Sequence, residues 1–210
     1  MNASPLADLE TFLRSRLAAP LPGPEAQRRF APTPARKSWR PDDQPPGARA
    51  AAALILLYPG DAGALFPLTV RRHDLPFHPG QISLPGGGLD PGEDPAAAAL
   101  RETHEEIGVD PGDIRLIGQL SPLWVIVSNF VVRTFVGITD ARPVFRPQPR
   151  EVAELIETPI DWLRDTSRVA WDQRVRDGVR VSFPYFDFGG HRVWGATAMV
   201  LSEFAALFED

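Results

Sequence analysis

The sequence of 210 residues contains no cysteine. This absence excludes a disulfide framework, a thiolate nucleophile and any zinc or iron–sulfur site built on cysteine ligands. No apolar run approaches the roughly 20 residues of a membrane-spanning helix, and residues 1–10 lack the basic start and apolar middle of a secretory signal. We therefore expect a cytoplasmic protein that has no membrane partner and carries out no redox chemistry of its own.

Basic residues are in the minority, with 22 against 27 acidic residues, which gives a formal net charge of −5 at pH 7. A protein that binds nucleic acid needs a basic surface to neutralise phosphates, so we expect no nucleic-acid partner. A small anionic substrate would need another source of positive charge. A metal ion held by clustered carboxylates is one such source.

Length and composition predict one domain with additions, because 43% of the residues are hydrophobic and aromatic residues are plentiful. We assign residues 48–210 to this domain and residues 1–47 to an extension that packs on it. Residues 5–17 have the spacing of an amphipathic helix. Proline recurs too often in residues 19–47 for a long regular element, so this segment is predicted to be a wrapping arm.

The remaining pattern predicts a mixed α/β (α+β) fold in which a mixed sheet is flanked by helices. Residues 50–58 and 65–70 are predicted to form a buried hairpin, and Pro67 places the second strand, or its start, at a sheet edge. Asp94, Pro95 and Gly108 are typical cap residues of a helix over residues 96–107. Further strands are predicted at residues 81–84, 114–120, 130–138, 169–171, 179–186 and 192–194. Short helical pieces are predicted at residues 151–156 and 160–164, and a final amphipathic helix at 197–208.

The helix predicted at residues 96–107 concentrates acidic residues. Glu102, Glu105 and Glu106 are spaced i, i+3 and i+4, which places them on one face. Each like-charge pair at this spacing destabilises a helix by about 0.2–0.5 kcal/mol. A solvated acidic face is the simplest interpretation, whereas a bound Mg²⁺ or Mn²⁺ ion would resolve the repulsion because hard oxygen ligands suit these cations. The context favours the metal, because Arg101 can orient Glu105 and a glycine loop directly precedes the helix.

This segment resembles the Nudix box, G-x5-E-x7-R-E-U-x-E-E-x-G-U. The matching residues are Gly87, Glu93, Arg101, Glu102, Glu105, Glu106 and Gly108. Thr103 stands where the pattern has a bulky aliphatic residue. The resemblance to the Nudix hydrolase family implies a mixed sheet flanked by helices and the metal-dependent hydrolysis of a nucleoside diphosphate linked to another group. It also implies that Glu102, Glu105 and Glu106 hold the metal, that Glu93 and Arg101 form a supporting ion pair, and that Gly86 and Gly87 belong to the site.

Two further segments are similar to the coenzyme A pyrophosphatase subfamily. Before the box these are Leu68-Thr69-x-Arg71, Leu75, His78, Gly80-Gln81 and Leu84-Pro85-Gly86-Gly87, and near the C-terminus the sequence HRVWGATA at residues 191–198. Arg72, Pro76 and Leu84 replace the usual Ser, Arg and Phe. The resemblance implies substrate contacts from Arg71, His78 and Gln81. Taken alone, Arg71 is equally compatible with a surface charge, and His78 is more typical of a structural hydrogen bond.

The sequence thus predicts hydrolysis of coenzyme A, or of a derivative, to 3′,5′-ADP and 4′-phosphopantetheine by a monomer or homodimer. Glu106 is expected to be essential, and Glu105 is the first choice for the general base, with Glu151 the second. The alternatives are a Nudix hydrolase acting on ADP-ribose, NADH or a (deoxy)nucleoside triphosphate, and a non-catalytic nucleotide-binding regulator. The three intact glutamates argue against a regulator, since their repulsion makes little sense without a cation.

Overall fold

The computed structural model describes residues 6–35, 39–74, 80–176 and 178–209. The helices are α1 (Ala7–Ala18), α2 (Gly23–Arg28), α3 (Pro95–Ile107) and α4 (Gly195–Ala206). The strands are β1 (Arg49–Gly60), β2 (Gly63–Arg71), β3 (Ile82–Ser83), β4 (Gly86–Gly88), β5 (Arg115–Gln119), β6 (Leu123–Val125), β7 (Phe130–Ile138), β8 (Val152–Pro159), β9 (Val169–Arg176), β10 (Val179–Phe188) and β11 (His191–Trp194). None of the described helices has the length and apolar character that crossing a bilayer requires.

Strand β1 is the centre of the larger sheet. It forms the predicted hairpin with β2 and runs parallel to β7 from Arg49 to Leu57. Within the described ranges the strand order is β3-β2-β1-β7-β5, and β4, β6 and β8 pair with β1, β7 and β2 respectively. Parallel and antiparallel pairs coexist in this sheet, so the predicted mixed sheet is confirmed.

Helices cover both faces of this sheet. Along β1, Ile55 and Leu57 belong to a large apolar cluster that also contains residues of α1 and α4. The alternating residues Leu54 and Leu56 belong to a second cluster with α3. This alternation follows from the two-residue period of a strand, and it fixes α3 on one face and α1 and α4 on the other.

A smaller antiparallel sheet has the order β11-β10-β9 among the described strands. Its residues Phe186, Phe188 and Val193 are buried in the large cluster. Helix α4 is buried from Ala198 through Phe204 without interruption. Because a helix has 3.6 residues per turn, seven consecutive buried residues mean that every side of the helix is covered. The predicted amphipathic character of this helix is therefore wrong.

Two other local predictions are also wrong. Residues 151–156 do not form a helical piece, because β8 pairs antiparallel with β2 from Leu65 to Arg71. This pairing also removes the predicted sheet edge at Pro67, since β2 has β8 on one side and β1 and β3 on the other. In both cases a partner strand far away in sequence overrides the local pattern.

The N-terminal extension contacts the larger sheet and α4. Leu13 of α1 is fully buried, and a β-carbon on Gly118 of β5 would lie 2.8 Å from the Leu17 β-carbon. In α2, the Gln27 amide donates to the Glu203 carboxylate of α4 at 2.7 Å. That carboxylate also accepts from the Ser121 backbone N–H at 3.0 Å. The buried carboxylate thereby joins the extension, α4 and the segment after β5.

The contact of α1 with the core predicts the effect of Leu13→Ala. Loss of a fully buried leucine side chain should lower the free energy of unfolding by about 2–5 kcal/mol, measured by urea denaturation. Val144→Ala is the control, because Val144 is 78% exposed and its loss should change stability by less than about 0.5 kcal/mol. Equal effects of the two substitutions would show that α1 does not contribute to the core in solution.

Candidate active site

Strand β4 brings bare backbone between β1 and α3. Gly86–Gly88 pairs antiparallel with Ala51–Ala53 of β1. A β-carbon on Gly86 would lie 2.4 Å from the Ala52 carbonyl oxygen, and one on Gly87 would lie 2.5 Å from the Glu102 carboxylate. A side chain at position 86 would clash with backbone, and one at position 87 would force the Glu102 carboxylate to move. The two glycines therefore allow the strand to approach β1 and the acidic helix at the same time.

Helix α3 has the predicted ends. The Asp94 carboxylate accepts hydrogen bonds from the Ala96 and Ala97 backbone N–H groups at 2.9 and 3.2 Å. Gly108 ends the helix in the left-handed conformation with φ of 74°, which glycine adopts at little cost. Thr103 is fully buried and donates to the Ala99 carbonyl at 2.7 Å. The threonine thus satisfies its hydroxyl within the helix, at the position where the Nudix pattern has an aliphatic residue.

Glu106 is the most deeply buried carboxylate on α3, with only 5% of its surface exposed. Its Oε2 atom has no hydrogen-bond partner in the described part of the chain, while the Gly86 backbone hydrogen-bonds the carboxylate. Burial raises the pKa of Glu106 to about 8, and the charges of Glu102 and Glu151 act in the same direction. At this position the negative charge of the carboxylate is therefore costly, and one oxygen lacks a partner among the described residues.

Arg101 organises the outer part of the acidic face. Its guanidinium binds both Glu93 oxygens at 2.8 and 2.9 Å, and these bonds lower the pKa of Glu93 to about 2. It also donates to Glu102 at 2.9 Å, to Glu105 at 3.2 Å and to the Gly88 carbonyl at 3.1 Å. One guanidinium thus connects three glutamates with the end of β4.

The remaining residues of the predicted site lie around Glu106, except Glu105 and His78. Glu151 immediately precedes β8, and its charge raises the pKa of both Glu102 and Glu106. Arg71 ends β2, its charge acts on Glu106, and its backbone N–H donates to the Gln81 carbonyl at 2.9 Å. Glu105 is 56% exposed and turned to Arg101. His78 lies outside the described residues.

The donor chemistry of this site suits a hard divalent cation. No three Asp, Glu or His side chains among the described residues converge closely enough to hold a metal as they stand. Arg101 engages Glu102 and Glu105. Within the described part of the chain, however, Glu106 presents a buried oxygen with no partner, and burial also raises the pKa of Glu102. Crowded carboxylates with an unused oxygen fit Mg²⁺ or Mn²⁺.

The two segments that resemble coenzyme A pyrophosphatases meet in space. The Thr197 hydroxyl, at the start of α4, donates to the Ile82 carbonyl of β3 at 3.0 Å. Ile82 follows Gln81, whose carbonyl accepts from Arg71. The C-terminal segment therefore supports the strand that adjoins Arg71, although 115 residues separate the bonded pair.

The sequence does not predict one cleft that lies beside this site. It has a volume of about 500 Å³ and is lined by Arg49, Phe130 and residues that follow β4. Its two sides come from β1 and β7, which are far apart in sequence. An arginine before an apolar run is common, so the local sequence around Arg49 does not indicate this cleft.

The fold and the site are those of a mixed-sheet α/β enzyme with an acidic site on a glycine-flanked helix. Comparison with known proteins leads to the same class. The NUDIX domain profile matches residues 48–177, and the chain belongs to the Nudix family of pyrophosphohydrolases. It is 35% identical over 170 residues to the human mitochondrial coenzyme A diphosphatase NUDT8, covering 74% of this chain and 72% of that protein. It is also 35% identical over 148 residues to the uncharacterized Nudix hydrolase NudL of Pectobacterium atrosepticum, covering 68% of this chain and 74% of that protein.

A solved structure of a MutT/nudix family protein from Enterococcus faecalis has the same fold. The TM-score is 0.51 at 13% identity, and the match covers 77% of this chain and 62% of that one. At this identity the likeness concerns the fold alone. The predicted Nudix fold, a mixed sheet flanked by helices, is confirmed.

The close approach at Gly87 predicts the effect of Gly87→Ala. The added methyl group must displace the Glu102 carboxylate, and a displacement of about 1 Å within a catalytic site typically costs about 100-fold in rate. We expect a loss of that order in kcat/KM and weaker Mn²⁺ binding by electron paramagnetic resonance. Gly88→Ala is the comparison for Mn²⁺ binding, because its methyl group would meet the Phe130 ring, at 3.8 Å, and not a carboxylate. Losses of equal size would contradict a specific role of the Gly87 contact.

Proposed function

We propose that this Nudix hydrolase cleaves the diphosphate linkage of coenzyme A or its derivatives, giving 3′,5′-ADP and 4′-phosphopantetheine or its acyl form. The observation that carries the reaction class is the buried Glu106 oxygen, which has no partner among the described residues and is flanked by Glu102, Glu151 and the cationic Arg71. Such a site combines carboxylates for a cation with a guanidinium for a phosphate.

Two observations support coenzyme A as the substrate. The chain shares 35% identity with a protein named as a coenzyme A diphosphatase. In addition, the two segments typical of that subfamily are joined through the bond from Thr197 to Ile82, next to Arg71 and Gln81. This bond brings the two segments into the same part of the fold.

Glu102, Glu105 and Glu106 would hold a divalent cation, which would supply positive charge to the diphosphate and lower the pKa of a water molecule. Arg71 would donate to a phosphate oxygen, and Gly86 and Gly87 would keep side chains away from it. Water attacks one phosphorus in line, and the bond from that phosphorus to the bridging oxygen breaks. Arg101 and Glu93 orient the outer carboxylates, because their ion pair fixes the guanidinium that binds Glu102.

A carboxylate must take the proton of the attacking water, and Glu105 and Glu151 are the two candidates. Glu105 is turned to Arg101, whose guanidinium occupies one of its oxygens. Glu151 has the better placement, since its charge acts on both Glu102 and Glu106. We therefore propose Glu151 as the base and Glu105 as a metal ligand.

A substrate panel tests the proposed function. With Mg²⁺ or Mn²⁺ present, coenzyme A should give a higher kcat/KM than ADP-ribose, NADH or deoxynucleoside triphosphates at equal concentration, with the products resolved by chromatography. Glu106→Gln should lower kcat for coenzyme A by about 100-fold or more and leave the circular dichroism spectrum unchanged. The substrate assignment is wrong if coenzyme A is the poorest substrate, and the site assignment is wrong if Glu106→Gln keeps near-normal activity.

The choice of base predicts a difference between two matched variants. Glu151→Gln should lower kcat by about 100-fold or more, as loss of a general base typically does, and should remove the acidic limb of the pH profile of kcat. Glu105→Gln should act mainly by weakening Mn²⁺ binding, with activity recovering at high Mn²⁺. The opposite pattern would make Glu105 the base.

A further inference from the structure

A diphosphate with two different substituents needs contacts on both sides of the cleaved linkage. Strand β4 leads from the acidic site to the cleft beside it: Gly86 contacts Glu106, Gly87 faces Glu102, and Gly88 lines the cleft. Because a strand rises about 3.3 Å per residue, Gly88 lies roughly 7 Å beyond Gly86. A group bound in the cleft would therefore be one sugar ring away from a diphosphate at Glu106.

The cleft contains a guanidinium stacked on an aromatic ring. The Arg49 guanidinium carbon lies 4.0 Å from the centroid of the Phe130 ring. The parallel pairing of β1 with β7 sets this arrangement, since it places Arg49 directly beside Phe130. Two bonds hold Arg49 in place: its backbone N–H donates to the Asn129 carbonyl at 2.9 Å and its side chain to the Ser128 carbonyl at 3.2 Å.

The charge of Arg49 has no acidic partner among the described residues. In the described part of the chain its contacts are the Phe130 ring and backbone carbonyls, and no carboxylate pairs with it. Arg101, by contrast, binds three glutamates. An unpaired guanidinium on an aromatic ring suits a ligand that has both a phosphate and a flat base.

The acidic groups of the cleft do not cancel this preference. Glu93 is neutralised by its two bonds to Arg101. Asp90 is 75% exposed and lies 4.0 Å from the Arg101 guanidinium, where it can accept a hydrogen bond from a sugar hydroxyl or an exocyclic amino group. The volume of about 500 Å³ lies within the usual range for small-molecule sites.

We propose that Arg49 and Phe130 form the subsite for the 3′-phosphoadenosine end of the substrate, with Arg49 binding the 3′-phosphate and Phe130 supporting the base. This inference rests on the proposed function. It places the nucleotide end at the cleft beyond Gly88 and leaves the Arg71 side of Glu106 for the other end of the substrate. The enzyme would then distinguish coenzyme A from 3′-dephospho-coenzyme A through Arg49.

The test compares these two substrates with Arg49→Gln, which keeps the polarity and removes the charge. The kcat/KM for coenzyme A should fall about tenfold, as expected for loss of one exposed charge-assisted hydrogen bond, and that for dephospho-coenzyme A should change less than twofold. Arg168→Gln is the control. Its guanidinium also stacks on an aromatic ring, 3.9 Å from the centroid of Trp162. Arg168, however, follows the C-terminal end of β8, whereas Glu151 precedes the N-terminal end.

Calorimetric binding of 3′,5′-ADP and 5′-AMP separates this inference from the proposed function. The wild-type protein should bind 3′,5′-ADP about tenfold more tightly than 5′-AMP, and Arg49→Gln should abolish the difference. If neither coenzyme A substrate is cleaved, the proposed function fails, and the binding ratio still decides the subsite. If Arg49→Gln retains the wild-type preference for the 3′-phosphate in both binding and turnover, the inference is overturned.

Discussion

The repulsion among Glu102, Glu106 and Glu151 is the constraint on which the arrangement of the site depends. Burial raises the pKa of Glu106 most, and the like charges of Glu102 and Glu151 raise it further. A fold can hold such groups together only if packing and hydrogen bonds from elsewhere compensate. Here the compensation comes from the Gly86 backbone, from Arg71 and from the apolar contacts of α3 with β1.

Arg101 divides the acidic face into two environments. It fully engages Glu93 and partly engages Glu102 and Glu105, so the outer carboxylates are balanced by a protein cation. Its guanidinium does not reach Glu106, whose Oε2 atom remains without a partner in the described chain. The inner carboxylate is therefore the one that a divalent ion would stabilise most. A stable outer network and an uncompensated inner oxygen are what a site needs in order to bind a cation reversibly.

Local signals were sufficient to predict α3 and not sufficient for the elements around it. Asp94, Pro95 and Gly108 define the ends of α3 within a few residues, and the spacing of the glutamates defines its acidic face. The position of Glu151 depends instead on the pairing of β8 with β2, including the irregularity between Val70 and Arg71. The same long-range pairing explains why residues 151–156 are a strand and why β2 is not at an edge. The local pattern does not predict that α4 is buried on all sides, because α2, which covers one of these sides, is far away in sequence. Gln27 of α2 binds Glu203 of α4.

The same reasoning explains why the acidic helix, although it identifies the family, does not identify the substrate. In the proposed function, the helix and the glycine strand bind the diphosphate, which is common to many substrates. Selectivity must come from groups on either side of it, and these belong to elements that meet only in the folded chain. Arg71 is placed by the pairing of β2 with β3 and β8, and Arg49 by the parallel pairing of β1 with β7. Since β1 and β2 form one hairpin, the central hairpin carries both arginines at the end of the sheet where β4 and α3 place the carboxylates. In the proposed binding mode, these two arginines contact the two chemically different ends of the substrate.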